Sequence, residues 1–141
     1  MIPVTINFLA IVACALTQMG LGMLWYSPIL FGKPWSKMMG HNIKSKEDLK
    51  KMQKQAGPAY IVSLLCAFVI AFVMSHFIDY THATTAVAGM ITAFWCWLGF
   101  SATVMLMNNM FNNKPYKLFL IDAGYQLVNF LIMGTILALW V

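Results

Sequence analysis

Asp122 is the only acid well inside an apolar stretch of this 141-residue chain. Tyr125, Gln126 and Asn129 follow it at i+3, i+4 and i+7, which places all four on one face of a helix. A polar stripe in such surroundings has two uses. As chemistry, it forms a polar pocket or an inward-opening half-channel in which Asp122 binds a cation or cycles a proton. As architecture, it is interhelical glue, with Asp122 hydrogen-bonding Asn or Tyr neighbours or drawing in a snorkelling lysine. Gln18, Ser101 and Asn108 are the candidates from other stretches to share the pocket, with Thr17, Thr103 and Asn109 beside them in sequence. No second ionisable residue completes a relay, which favours glue.

Other reactive residue types form weaker patterns. His76, Asp79 and His82 are spaced by three, but His82 falls beyond the expected end of its helix, so they read as a polar cluster at an interface rather than a metal site. Cys14, Cys66 and Cys96 lie in three separate apolar stretches without paired spacing, as small buried hydrophobes would. The chain contains no Ser/His/Asp set, no glycine-rich phosphate loop and no His-Glu-x-x-His. His41 has no recognisable partner. The expectation is a protein that is not an enzyme and uses no cofactor or metal.

The elements that must position these residues follow from composition. Hydrophobic residues make up 61% of the chain and charged residues 9%, against roughly 25% charged in soluble domains. A soluble protein of this size could not hide that much apolar surface. Four stretches reach the roughly 20 apolar residues that a membrane span needs: 4–28, 59–78, 84–108 and 117–140. The first lacks the basic leader of a signal peptide, and its apolar run continues past Ile11-Val12-Ala13-Cys14, so it reads as an uncleaved span rather than a lipoprotein signal. Spanning helices satisfy their own backbone hydrogen bonds in lipid. The expected fold is therefore all-α, an integral membrane four-helix bundle forming one domain over residues 1–141.

Lysine placement gives that bundle a direction. The chain has nine lysines and no arginine. Lys33, Lys37, Lys44, Lys46, Lys50, Lys51 and Lys54 occupy the loop at 29–58; the loop between the third and fourth spans holds Lys114 and Lys117. In a four-span topology both loops lie on one side, and the positive-inside rule makes that side cytoplasmic and puts both termini outside. The net charge of +5 thus points to anionic lipid, with the seven loop lysines as contacts, and not to nucleic acid. Trp25, Tyr26, Trp35, Tyr60 and Tyr116 then mark the inner interface, Tyr80 and Trp140 the outer one. Ser45 with Asp48 resembles a capping box, and Leu49, Met52 and Ala56 recur behind it at helical spacing. The loop is either a short amphipathic helix on the inner headgroups or a solvated hairpin. Counted from Tyr116 at about 1.5 Å per residue, Asp122 lies roughly 9 Å deep and Gln126 roughly 15 Å.

Phe31-Gly32-Lys33-Pro34-Trp35-Ser36-Lys37 and Phe111-Asn112-Asn113-Lys114-Pro115-Tyr116-Lys117 share a pattern just past the first and third spans. Either the chain is a parallel repeat of two hairpins or two membrane exits have converged on the same vocabulary. Small residues on helical faces, Gly20 and Gly22, Gly89 with Ala86 and Ala93, and Gly134 with Ala138, point to close helix packing and to oligomer contacts.

Gly22-Met23-Leu24-Trp25-Tyr26-Ser27-Pro28, followed by Phe31-Gly32-Lys33 and Trp35, resembles the first motif of a bacterial membrane family catalogued as domain-of-unknown-function family 1761. Lys117-Leu118-Phe119-Leu120-Ile121-Asp122-Ala123-Gly124-Tyr125 resembles its second motif, and Trp97-Leu98-Gly99-Phe100 a weaker stretch between them. The resemblance implies a small four-helix protein of the bacterial inner membrane and carries no activity. The expected role is a non-enzymatic oligomer or accessory subunit, partnered by the bilayer and by itself or another membrane protein. The alternative is a small homo-oligomeric transporter or channel with Asp122 as its cation or proton site.

Overall fold

A computed structural model describes residues 3–140, whose regular structure consists of helices alone. These are α1 (Phe8–Trp25), α2 (Gly32–Met38), α3 (Lys46–Gln55), α4 (Gly57–Tyr80), α5 (Ala86–Phe111) and α6 (Tyr116–Leu139). Four of them, α1, α4, α5 and α6, are long and apolar enough to cross a membrane. Only 17–33% of each apolar window is buried inside the protein, so most of the apolar surface faces outward, the reverse of a soluble fold.

Local chemistry sets the helix bounds. Asn7 opens α1 by accepting from the amides of Leu9 (3.1 Å) and Ala10 (3.3 Å), so the helix begins later than its apolar stretch. Thr85 does the same for α5 through Ala88 (3.2 Å). Pro58 sits in the first turn of α4 and Pro115 caps α6, positions where the missing amide costs nothing. Helix α5 runs past Asn108 and Asn109 to Phe111. Asn109 is buried there, and its amide donates to the carbonyls of Lys114 (3.2 Å) and Pro115 (3.4 Å), closing the turn into α6.

The loop segment Lys46–Gln55 is helical, with its lysines exposed. Ser45 Oγ accepts from the Asp48 amide (3.3 Å), while Asp48 Oδ2 reaches the Lys44 amide (3.2 Å) instead of that of Ser45. The capping box therefore closes one residue earlier than its usual form. Both Lys-Pro-aromatic stretches open helices, but α2 has 7 residues and α6 has 24. Their likeness is a shared helix start, whatever its origin.

Helix α6 touches each of the other three long helices. It crosses α5 most closely at Gly89 and Gly134: a Cβ on either would strike the backbone carbonyl of the other, and Ala93 and Ala138 complete the contact. Cys14, Met74 and Met133 are buried where α1, α4 and α6 converge. Gly20 is different from the other small residues, being exposed with open space around it. The Asn7 side-chain amide donates to the Trp140 carbonyl (3.0 Å), joining the N-terminal arm to the end of α6. At the opposite end Lys114 Nζ lies 4.0 Å from Met39 Sδ, so the two lysine-bearing loops share one end of the molecule.

Candidate functional site

One turn of α6, Ile121 to Ala123, collects hydrogen bonds from three directions at the lysine end. Asp122 Oδ1 accepts from the Tyr26 hydroxyl (2.7 Å) and the Trp35 indole N–H (3.1 Å). The Trp25 indole donates to the Ile121 carbonyl (3.1 Å), and the Trp97 indole to the Ala123 carbonyl (3.1 Å). Three of the chain's five tryptophans thus converge on three consecutive residues.

The chain between α1 and α2 is built to deliver two of those donors. Ser27 Oγ donates to the Leu24 carbonyl (2.6 Å), the Phe31 amide returns to the Trp25 carbonyl (3.0 Å), and the Gly32 amide reaches the Ser27 carbonyl (2.9 Å). Gly32 is obligatory in this tight return, because a Cβ there would overlap the carbonyls of Tyr26 and Ser27. The return swings α2 back so that Trp35 meets Asp122. Tyr26 then packs edge-on to Trp35 (ring centroids 5.3 Å) and Tyr125 (5.4 Å), and His41 stacks on Trp35 (6.1 Å). Trp97 comes from the first position of a π-helical turn in α5, Trp97–Ala102, a local widening of the kind often found at functional sites.

Trp25, Tyr26 and Trp35, expected at the inner interface, also serve as donors to α6. They are half-buried and bonded to α6, whereas Tyr60 and Tyr116 are exposed. Their indole and phenol donors are the partners of α6 that the sequence reading missed. The available signal was the pair Trp25-Tyr26 ahead of Ser27-Pro28, where the chain must turn.

Deeper along α6 the polar stripe divides. Tyr125 donates to the Gln18 carbonyl (3.1 Å), and Gly22 leaves room for its hydroxyl. The Asn129 side-chain amide donates to Gln18 Oε1 (3.0 Å), with both residues buried, and Asn129 Oδ1 has no partner among the described residues. Gln126 faces the other way. With Ser101 it lines a cavity of about 340 Å³ between α4 and α5, walled by Val69, Val73, Phe77 and Phe100, and its Oε1 also lacks a partner among the described residues. Ser101 Oγ lies 3.6 Å from Met105 Sδ. Asn108 does not join the pocket: it is exposed on the outer side of α5, and Asn109 is the buried member of the pair. Thr17 and Thr103 bond back to the carbonyls of their own helices, Ala13 and Gly99.

The seven loop lysines, Lys33 to Lys54, are all exposed. Cys14 and Cys96 are buried, but Cys66 is exposed on α4, so only two of the three cysteines pack as small core residues. At the end opposite the lysines, His76 turns toward Phe72 and Tyr80 and away from Asp79 and His82, which line a cleft with Asn7 and Trp140. Among the described residues no three His, Cys, Asp or Glu side chains are grouped as metal ligands.

Chemically, the Asp122 node is a carboxylate oxygen accepting from two neutral donors, Tyr26 just past α1 and Trp35 on α2, and neither of them a lysine. Such an arrangement fixes geometry, since each donor loses its acceptor if the carboxylate moves. The profile of the family of proteins of unknown function DUF1761 matches residues 9–138, and the chain belongs to that family. No curated protein and no solved structure matches it. The motif stretches on which the resemblance rests meet at the node: Trp25, Tyr26 and Trp35 from the first, Trp97 from the middle one, Asp122 and Tyr125 from the last.

Proposed function

We propose that this chain is a non-enzymatic multi-pass protein of the bacterial inner membrane that acts by association, as an oligomer or as an accessory subunit of a larger membrane complex. The observation that carries the reading is the use made of Asp122. The one acid well inside a span holds the Trp25–Trp35 segment against α6. A carboxylate cycling protons or cations would need exchangeable partners. Here two neutral donors on a tightly turned backbone occupy one oxygen, which suits a fastening point in a rigid four-helix scaffold. The outward faces of α4 and α5 are apolar and suited to lipid or to a partner helix. In this reading the lysine end is cytoplasmic, both termini are outside, and α3 lies on anionic headgroups through its lysines.

A transporter is the second reading. Its support is the Gln126 and Ser101 cavity, where a polar side chain faces an apolar groove at mid-helix depth. The Asp122→Asn variant separates the two. As scaffold, it loses stability or changes oligomeric state, and vesicles show no proton- or cation-dependent flux to lose. As transporter, flux is present in the parent and abolished in the variant while expression persists. Purification in mild detergent reads the partner: stoichiometric companions favour the accessory role, and a clean oligomer favours self-assembly.

A further inference from the structure

The end of the molecule opposite the lysines carries a small cleft with a charge that no side chain among the described residues answers. Four segments build it: the arm before α1 (Thr5, Asn7), the last turns of α4 (Ser75, Asp79), the turn into α5 (His82, Thr84) and the end of α6 (Leu137, Trp140). Its volume is about 100 Å³, enough for a few non-hydrogen atoms. Ala10, Ile78, Ala83 and Leu137 make an apolar floor, and Asp79 with the hydroxyl and amide groups makes a polar rim.

Asp79 is poorly placed for a carboxylate that serves only the fold. It lies in the last turn of α4, where the helix dipole already concentrates negative charge. The side-chain hydrogen bonds around the end of α4 run among Phe72, Ser75, His76, Phe77, Ile78, Thr81 and Thr92, and none among the described residues ends on the Asp79 carboxylate. No lysine or arginine occurs between Lys54 and Lys114, and both lysine-bearing loops lie at the opposite end. His82, which lines the cleft with Asp79, holds a left-handed backbone (φ 50) that closes the turn through its amide to the Asp79 carbonyl (3.0 Å). The surroundings specify the missing partner. The dipole and the carboxylate exclude an anion. Asp79 and His82, with no third His, Cys, Asp or Glu grouped with them among the described residues, do not make a divalent metal site. An apolar floor under an anionic rim, with Trp140 in the lining, suits an ammonium group on a short apolar body.

We propose that this cleft binds a primary ammonium group, with Asp79 as counter-ion and Trp140 as its aromatic wall. The ammonium belongs to a free alkylamine or to an aminophospholipid headgroup. The test is calorimetric titration of delipidated, detergent-solubilised protein with propylammonium, with propanol as the neutral match in size. Propylammonium binding is expected, weakened about tenfold or more in Asp79→Asn, with propanol similarly weaker. Trp140→Leu gives a second variant and should also weaken propylammonium. Equal binding of propylammonium by the parent and Asp79→Asn, or of propanol and propylammonium by the parent, would overturn the proposal. Titration in nanodiscs then assigns the source. Loss of propylammonium binding in phosphatidylethanolamine but not in phosphatidylglycerol identifies the headgroup; equal binding in both identifies the free amine.

Discussion

The half of α6 from Tyr116 to Asn129 and the half from Met133 to Leu139 meet their neighbours by different chemistry. The first half is held by directed hydrogen bonds: two onto Asp122, one onto each flanking carbonyl, and two more through Tyr125 and Asn129 to Gln18. The second half has no such side-chain links to α5. There Gly134 and Gly89 bring two backbones together, and Ala93 and Ala138 fill what remains. Between helices in lipid there is little hydrophobic driving force, so association relies on close packing or on hydrogen bonds. This helix uses each in turn. The packed half tolerates no added volume, while the bonded half tolerates changes of shape but not of acceptor.

That contrast orders the consequences of substitution. Gly134→Leu should be the most damaging, because the new side chain meets the backbone of Gly89 with no flexible group to yield. A loss of about 3 kcal/mol or more is expected, seen as failure to recover monodisperse protein or as unfolding at low denaturant. A variant that folded normally would remove the packed half from the comparison. Asp122→Ala should come next, at about 2–3 kcal/mol in reversible detergent unfolding, because it leaves the Tyr26 hydroxyl and Trp35 indole without their acceptor. Asp122→Asn keeps an acceptor oxygen and should cost less than the alanine variant. Trp97→Phe removes one donor to a carbonyl while retaining an aromatic ring, so the same unfolding assay should register about 0.5–1.5 kcal/mol. Gly20→Ala should be the mildest, neutral or stabilising by up to about 1 kcal/mol, since the added methyl enters open space in a helix. Strong destabilisation there would mean that α1 has a close neighbour outside this chain.

The two halves also differ in how far the sequence foretold them. The packed half was legible, because glycine and alanine at helical spacing have few other uses in a span; Gly89, Ala93, Gly134 and Ala138 all meet at the crossing. Gly20 has the same local look but faces open space, since a face with small residues does not declare what it faces. In the bonded half, the acceptors were legible and the donors were not. Asp122, Tyr125 and Asn129 stood out as polar residues in an apolar helix. Trp25, Tyr26 and Trp35 did not, because aromatics near a membrane exit ordinarily anchor the interface. What redirects them is the backbone return through Ser27 and Gly32, a tertiary feature that no periodicity reports. The split at Gln126 has a similar cause: the residue lies toward one edge of the stripe, and only the placement of α4 and α5 decides that this edge opens on a groove. Asn108 and Asn109 are adjacent polar residues at a helix end, and their order was settled by which one faced the turn into α6.

The claim that Asp122 is a fastening point reduces to an energetic coupling between it and the donors that reach it. A double-mutant cycle of Tyr26→Phe and Asp122→Asn, followed by reversible unfolding in mixed detergent, measures that coupling directly. The account predicts non-additivity of about 0.5–2 kcal/mol, with the double variant less destabilised than the sum of the two single ones. Additive effects would mean that the carboxylate and the phenol act independently, and would contradict it.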